Sequence, residues 1–162
     1  MNKNYKNMEK RIINEYEQGN YTIALQEVNN LIKTNNKASM AYNLRGVIYG
    51  ALNNFDSAIN DFSKSISIDG NNYKSFYNRG ILTGKKDKAK SVADLNICRE
   101  IIHKQLQKEE SNTKLRLALS ETLYLLEEKD KSEIEYQKVI ESDKLFCNNI
   151  EKRLLSIYKL KY

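Results

Sequence analysis

The residues that could take part in catalysis or metal binding are few and widely spaced. The single histidine, His103, follows Cys98 by five residues, a spacing that does not bring the two onto one helix face. Cys147 forms no Cys-x-x-Cys pair, and metal sites require three or four closely placed ligands. Residues 80–85 resemble half of a phosphate-binding loop but lack its serine or threonine. The sequence therefore predicts no enzyme activity, no metal site and no cofactor.

The composition is typical of a chain that is helical throughout. The 162 residues include no proline and six glycines, and 40% of them are hydrophobic. Because proline breaks helix interiors, its absence permits helix nearly everywhere, whereas a β-sandwich of this length would need more turn residues. The net charge of +6 is a modest excess, compatible with an acidic partner. Two isolated cysteines, no signal peptide and no span of about 20 apolar residues predict a cytoplasmic protein without a membrane span.

A repeat of 34 residues organises the chain. Gly46 recurs as Gly80, and Ala24 recurs as Ala58. Glycine and alanine let a neighbouring helix approach closely, so we expect these four residues to lie where helices pack. Apolar residues recur at helical spacing between turn signals such as asparagine and glycine. The pattern predicts helices at residues 3–18, 21–34, 38–52, 55–68, 72–84, 87–109, 112–128, 131–142 and 144–160.

A second pattern accompanies the repeat. An arginine precedes each signature glycine and also occupies the equivalent place in the first unit, and an acid follows 16 residues later, or 15 in the third unit. Antiparallel helices would bring each arginine to its acid, and the planar guanidinium suits a carboxylate. We expect structural pairing within a unit rather than a binding role. The predicted pairs are Arg11–Glu27, Arg45–Asp61 and Arg79–Asp94.

The second unit resembles a tetratricopeptide repeat, because Tyr42, Gly46, Tyr49, Ala58 and Phe62 occupy the signature positions of that family. The Asn-Arg-Gly triplet of the third unit is similar to a bacterial variant, while the usual proline at the unit end is absent. The resemblance implies an all-α, right-handed superhelical solenoid of antiparallel helix pairs. It also implies a single domain of about four repeats and a C-terminal capping helix, at roughly residues 5–38, 39–72, 73–106, 112–142 and 144–162.

The resemblance further implies a concave groove that is lined by the first helix of each unit and holds a peptide or protein segment. Glu9 and Ile13 stand where some family members carry the lysine and asparagine that recognise a C-terminal carboxylate, so that recognition mode is not supported. The residues that would face a ligand are Tyr16, Met40, Asn43, Leu44, Val47, Lys74, Tyr77, Asn78, Ile81, Lys114, Leu117 and Tyr124.

The favoured function is a protein-binding module, such as an adaptor, co-chaperone or assembly factor, whose partner the sequence does not identify. One alternative is binding of nucleic acid or another acidic polymer, and a second is self-association as a homo-oligomeric repeat protein. The basic surface of the first alternative would come from residues 85–90 and from Lys144, Lys152, Arg153, Lys159 and Lys161, with Tyr158 and Tyr162 between them.

Overall fold

The computed structural model describes residues 3–142. Within this range the chain forms eight α-helices and no strand, which confirms the all-α prediction. The helices begin and end within three residues of the predicted bounds. The predicted capping helix and the basic residues from Lys144 onward lie outside the described residues. The helices are α1 (Lys3–Glu17), α2 (Tyr21–Thr34), α3 (Ser39–Ala51), α4 (Phe55–Ile68), α5 (Tyr73–Thr83), α6 (Lys88–Leu106), α7 (Thr113–Leu125) and α8 (Lys129–Ser142).

A residue with left-handed backbone geometry lies in the turn of three helix pairs. Gly19 (φ 80°) connects α1 to α2, Asn53 (φ 59°) connects α3 to α4, and Glu127 (φ 65°) connects α7 to α8. Glycine adopts a positive φ without strain, and asparagine tolerates it. Because Gly19 and Asn53 are one repeat length apart, the turn geometry recurs together with the helices.

The close approach predicted at Gly46 is present in the second helix pair. A Cβ atom on this residue would lie 2.6 Å from Cε1 of Phe62, a distance that real Cβ atoms do not adopt. The Phe62 ring is buried, with 2% of its surface exposed, and Ala58 on the same helix is fully buried. The missing side chain on α3 therefore makes room for an aromatic ring on α4.

Serines bind the helices of the later pairs to each other. The Ser91 hydroxyl of α6 donates to the carbonyl oxygen of Gly80 on α5 at 2.7 Å. The Ser132 hydroxyl of α8 donates to the carbonyl oxygen of Ser120 on α7 at 2.9 Å. Ser120 and Ser132 are 12 residues apart, as Gly46 and Ala58 are, so serines occupy the positions of these small residues in the last pair.

The helices form two compact units that divide between Asp94 and Leu95, a point within α6. In the second unit Leu117 of α7 and Val139 of α8 are buried against each other, with Tyr136 packed on them. The single-domain organisation and the repeat bounds remain predictions. The buried core of the first unit is formed by Ile12, Ala24, Val28, Leu31, Ile32, Ala38, Ala41 and Ile48.

Candidate functional site

Arg45 contacts groups of its own helix pair, α3 and α4, and of the preceding pair, α1 and α2. Its Nε and Nη2 donate to the two carboxylate oxygens of Asp61, at 2.7 and 2.8 Å. Its Nη1 donates to Oδ1 of Asn29 on α2 at 2.8 Å. The guanidinium also lies over the rings of Tyr42 and Tyr49, 5.4 and 5.9 Å from their centroids. The hydrogen bonds to Asp61 are the main reason that the pKa of Arg45 is raised, so the guanidinium stays charged.

The same arrangement recurs one repeat later. Nε and Nη2 of Arg79 donate to the Asp94 carboxylate, both at 2.8 Å, and Nη1 donates to Oγ of Ser63 on α4 at 3.0 Å. In the first pair, Arg11 forms an ion pair with Glu27. All three pairs predicted from the spacing are thus present. Arg45 and Arg79 additionally reach the preceding helix pair, which the spacing alone did not indicate.

A chain of buried polar side chains connects α3, α4 and α5. The Ser75 hydroxyl lies 2.7 Å from Oγ of Ser65 and 3.1 Å from Oδ1 of Asn43. Nδ2 of Asn72 donates to Oγ of Ser65 at 3.2 Å and to Oγ of Ser39 at 3.0 Å. Because a buried polar group without a partner is costly, this network specifies how the three helices align.

The network ends at the face formed by the first helices of the first unit, where Nδ2 of Asn78 donates to Oδ1 of Asn43 at 3.1 Å. This face is continuous, because α3 contacts both α1 and α5. On α1, Tyr16 packs against the core and contacts Tyr21, with the ring centroids 5.6 Å apart and the ring planes inclined by 47°. The predicted groove residues that stay partly or fully exposed here are Tyr16, Met40, Leu44, Val47, Lys74, Tyr77, Asn78 and Ile81.

Two of the predicted groove residues are buried, which corrects their assignment as ligand contacts. Asn43 is 4% exposed, because Ser75 and Asn78 cover it and donate to its amide oxygen. Leu117 is also 4% exposed, because it packs against α8. Of the other predicted residues on α7, Lys114 is exposed and Tyr124 is half-buried. All three α7 residues belong to the second unit.

Tyr5 and Glu9 place two buried polar atoms on α1. The Tyr5 hydroxyl and Oε1 of Glu9 have no hydrogen-bond partner among the described residues. Burial raises the pKa of Glu9, and the positive charges of Lys6 and Lys74 partly offset this rise. Of these two lysines, Lys6 lies on α1 with Glu9, and Lys74 lies on α5.

The side chains with catalytic potential do not converge. Cys98 is buried with its Sγ 3.5 Å from Oγ1 of Thr122, whereas His103 is exposed on the same helix. Within residues 3–142, no group of three histidine, cysteine or acidic side chains could hold a metal ion. Over the same residues, no helix has both the length and the apolar character that a membrane crossing requires.

Residues 39–72, which form α3, α4 and the turn that follows, match the profile of the tetratricopeptide repeat family. The chain is a tetratricopeptide repeat protein. The match covers the helix pair that contains the Arg45–Asp61 ion pair and the contact of Gly46 with Phe62. The likeness to the bacterial Asn-Arg-Gly variant stays a prediction.

The chain is similar to a known relative and to several solved structures. Sperm-associated antigen 1 of Homo sapiens is 32% identical over 127 residues, an alignment that covers 75% of this chain and 14% of the relative. TTC0263, a tetratricopeptide repeat protein of Thermus thermophilus, superimposes with a TM-score of 0.64 at 14% identity, covering 86% of this chain and 75% of that one.

Two other similar structures are complexes. The chaperone SycD of Yersinia enterocolitica with a peptide of the translocator YopD gives a TM-score of 0.59 at 18% identity, covering 75% of this chain and 94% of SycD. The TPR2B domain of yeast Sti1 in complex with pHsp70 also gives 0.59, at 14% identity, covering 86% and 98%. These likenesses agree with the predicted fold class, an all-α helical-repeat solenoid.

Sequence reasoning missed the ion pairs of the second unit. Nη1 of Arg99 donates to Glu128 at 2.5 Å, and Nη1 of Arg116 donates to Glu135 at 2.9 Å. These partners are 29 and 19 residues apart, so the 16-residue rule does not find them. No regular spacing in the sequence indicates either pair.

Proposed function

We propose that this tetratricopeptide repeat protein is a protein–protein interaction module that holds a peptide or protein segment against the first helices of its first unit. The observation that carries the proposal is the composition of the α1–α3–α5 face. Half-exposed apolar side chains, among them Leu44 and Ile81, alternate there with the amide of Asn78 and the aromatic ring of Tyr77. Such a surface offers both apolar contact and hydrogen bonds to a ligand.

The amide of Asn78 gives this face its polar anchor. One N–H of the amide is engaged by Asn43, which is itself held by Ser75 on the buried side. The Asn78 side chain is therefore oriented before a ligand binds, and it loses less conformational entropy on binding than a mobile surface amide would. The amide of Asn78 retains an oxygen and a second N–H that suit a peptide backbone.

The comparisons support a role in binding. SycD with its YopD peptide and Sti1 with pHsp70 are structures of similar fold that are held in complexes. We therefore propose a non-enzymatic adaptor, co-chaperone or assembly factor. The class of partner is a protein or peptide segment with apolar side chains at intervals that match α3 and α5.

The basic run at residues 85–90 does not favour nucleic acid over protein. Nζ of Lys86 lies 3.6 Å from a carboxylate oxygen of Asp56, and Nζ of Lys90 lies 3.2 Å from one of Asp87. Two of the lysines in this run thus already face acids. Solvated lysines of this kind are the ordinary surface of a helical protein.

Selection of a binding peptide followed by titration tests the proposal. A random peptide library displayed on phage is selected on the nuclease-treated protein, and the enriched peptides are titrated by calorimetry. We expect the double variant Tyr77→Ala/Asn78→Ala to bind roughly tenfold or more weakly, because two central contacts are lost. The matched control is Ile23→Ala/Ile97→Ala, which removes side chains that are 46% and 40% exposed on second helices.

Far-UV circular dichroism and thermal melting check that both double variants remain folded. Retained affinity in the control and loss in the groove variant support the proposal. Equal losses in the two variants, or no loss in either, would place the ligand elsewhere and overturn it.

A further inference from the structure

The turn between α4 and α5 contains an aspartate followed by a glycine, Asp69 and Gly70. No other aspartate of the chain is followed by glycine. Both residues are exposed. A Cβ atom on Gly70 would meet nothing within 4 Å, so water reaches the peptide bond between the two residues on that side. This bond therefore joins an exposed carboxyl side chain to a backbone nitrogen that no side chain shields.

The side chain of Asp69 is folded back along the turn. Its Oδ1 accepts from the backbone N–H of Asn71 at 2.9 Å. Aspartate often bonds the backbone two residues on in this way, and the bond places the carboxyl group beside the intervening peptide. The carbonyl oxygen of Asp69 also accepts from the N–H of Asn72 at 3.2 Å, which closes the turn. The carboxyl group is thus held next to the Gly70 nitrogen instead of pointing into solvent.

The Gly70 nitrogen is not engaged by the fold. Within residues 3–142 its N–H donates no hydrogen bond, whereas the N–H of Asp69 donates to the carbonyl oxygen of Ser65 at 2.9 Å. Asp56 on α4 gives a contrast, because 86% of its side chain is exposed but the N–H of the next residue, Ser57, donates to a side-chain oxygen at 3.3 Å. An exposed carboxylate and an unbound following nitrogen therefore occur together at Asp69 but not at Asp56.

The same turn occurs one repeat earlier, between α2 and α3. The N–H of Lys37 donates to Oδ1 of Asn35 at 3.1 Å, as the N–H of Asn71 donates to Asp69. The backbone angles of Asn35 (φ −149°, ψ 89°) are close to those of Asp69 (φ −138°, ψ 97°). Asn36 stands in the place of Gly70, so this turn accepts a residue with a side chain there.

We propose that Asp69 and Gly70 form a site of spontaneous backbone modification, at which aspartate converts to isoaspartate through a cyclic imide. The Gly70 nitrogen loses its proton and bonds to Cγ of Asp69, while the hydroxyl group of the protonated carboxyl leaves with that proton as water. Water then opens the ring. Cleavage between the imide nitrogen and the former backbone carbonyl carbon gives isoaspartate, whereas cleavage at Cγ restores aspartate. The reaction needs no co-reactant except water and does not depend on the proposed function.

The modification acts on the buried network through Asn72. Isoaspartate adds one carbon to the main chain between α4 and α5 and removes the side-chain acceptor of Asn71. Asn72, which ends this turn, is 9% exposed, and its Nδ2 donates to Oγ of Ser65 and of Ser39. A longer connection displaces Asn72 from these hydroxyls. The exposed turn therefore controls a network that aligns α3, α4 and α5.

Incubation of the full chain for several weeks at pH 6, well below its melting temperature, tests the site. Peptide mapping with fragmentation that distinguishes isoaspartate from aspartate locates the product. We expect isoaspartate to accumulate at Asp69 and not at Asp56. Gly70→Ala should slow the conversion roughly tenfold or more, because the added methyl group hinders ring closure. The matched control is Gly50→Ala, which also has open space for its Cβ and should leave the rate at Asp69 unchanged.

Sucrose shows whether the folded turn itself reacts, because it raises the free energy of unfolding. We expect the rate at Asp69 to be the same with and without sucrose. A rate that falls as sucrose stabilises the fold would mean that the reaction passes through the unfolded chain, and would overturn the assignment to the native turn. Conversion in a synthetic peptide of residues 65–75, with none in the folded protein, would overturn it as well.

The stability of the modified protein tests the link to the network. Ion-exchange chromatography separates the isoaspartate form from the unmodified form, and urea unfolding compares the two. We expect the isoaspartate form to have the lower urea midpoint, because Asn72 loses its buried partners. Equal midpoints would overturn the link between the turn and the network. Equal rates of conversion in Gly70→Ala and in the unmodified chain would overturn the site itself.

Discussion

At the scale of the residue, the arginine–aspartate pairs differ sharply from the other ion pairs of the surface. Asp61 accepts two hydrogen bonds from one guanidinium, and only 9% of its side chain is exposed. Asp56 faces Lys86 at 3.6 Å with 86% of its side chain exposed. An acid buried against a planar donor contributes far more than one that water can solvate, so the two aspartates of α4 should respond differently to removal.

We expect Asp61→Ala to lower the free energy of unfolding by about 2 to 3 kcal/mol, because it leaves the half-buried Arg45 without its carboxylate. Asp56→Ala, the control on the same helix, should change it by less than about 0.5 kcal/mol. The measurement is the urea midpoint of each variant. Similar midpoints for the two variants would show that the buried pair adds no more than a solvated one.

At the scale of the element, α3 illustrates how one glycine sets the distance between two helices while another does not. Gly46 faces the Phe62 ring, and a Cβ there would lie 2.6 Å from it. Gly50, one turn later on the same helix, has open space where its Cβ would be. The distance between α3 and α4 is therefore set at Gly46, whereas Gly50 is only a residue of low helix propensity.

We predict that Gly46→Ala destabilises the protein by about 1 to 3 kcal/mol through overpacking against Phe62. Gly50→Ala should be neutral or stabilise it by up to about 1 kcal/mol, because alanine favours the helix. Thermal and urea unfolding of both variants give the comparison. Adding Phe62→Leu to Gly46→Ala should restore part of the loss; no recovery would point away from the ring as the source of strain.

At the scale of the whole molecule, the two units should depend on pH in opposite directions. The pKa of Glu135 in the second unit lies below its ordinary value of 4.5, so its ionised form favours folding. That contribution is present above about pH 4.5 and disappears as the pH falls through the folded pKa. The pKa of Glu9 in the first unit lies above 4.5, so its neutral form favours folding, and this contribution disappears as the pH rises.

The two glutamine variants test this opposition. At pH 7 we expect Glu135→Gln to lower the urea midpoint and Glu9→Gln to raise it. As the pH falls and both carboxyls take up protons, the two differences should shrink towards zero. Midpoints measured from pH 3 to pH 7 decide the matter. Changes of the same sign at pH 7 would contradict the assigned environments.

Much of this architecture could be predicted from the sequence, because the 34-residue repeat indicates both where the helices lie and which arginine pairs with which acid. The helix bounds and the three arginine–acid pairs follow from it. Burial of Asn43 could not be predicted, because helical periodicity tells which way a residue points but not that Ser75 reaches over it. The ion pair of Arg116 with Glu135 could not be predicted either, because the last helix pair lacks the signature glycine from which the repeats are aligned.

The hydrogen bonds from Nη1 of Arg45 and Arg79 affect whether a chain of this kind can gain or lose a whole repeat. Nη1 of Arg45 binds an amide oxygen at Asn29, and Nη1 of Arg79 binds a hydroxyl at Ser63, so either kind of acceptor suffices. Removal of residues 39–72 would put Asn29 where Arg79 now finds Ser63, because both lie 16 residues before their arginine. A gene could therefore gain or lose a whole repeat and leave each arginine at the junction with an oxygen acceptor.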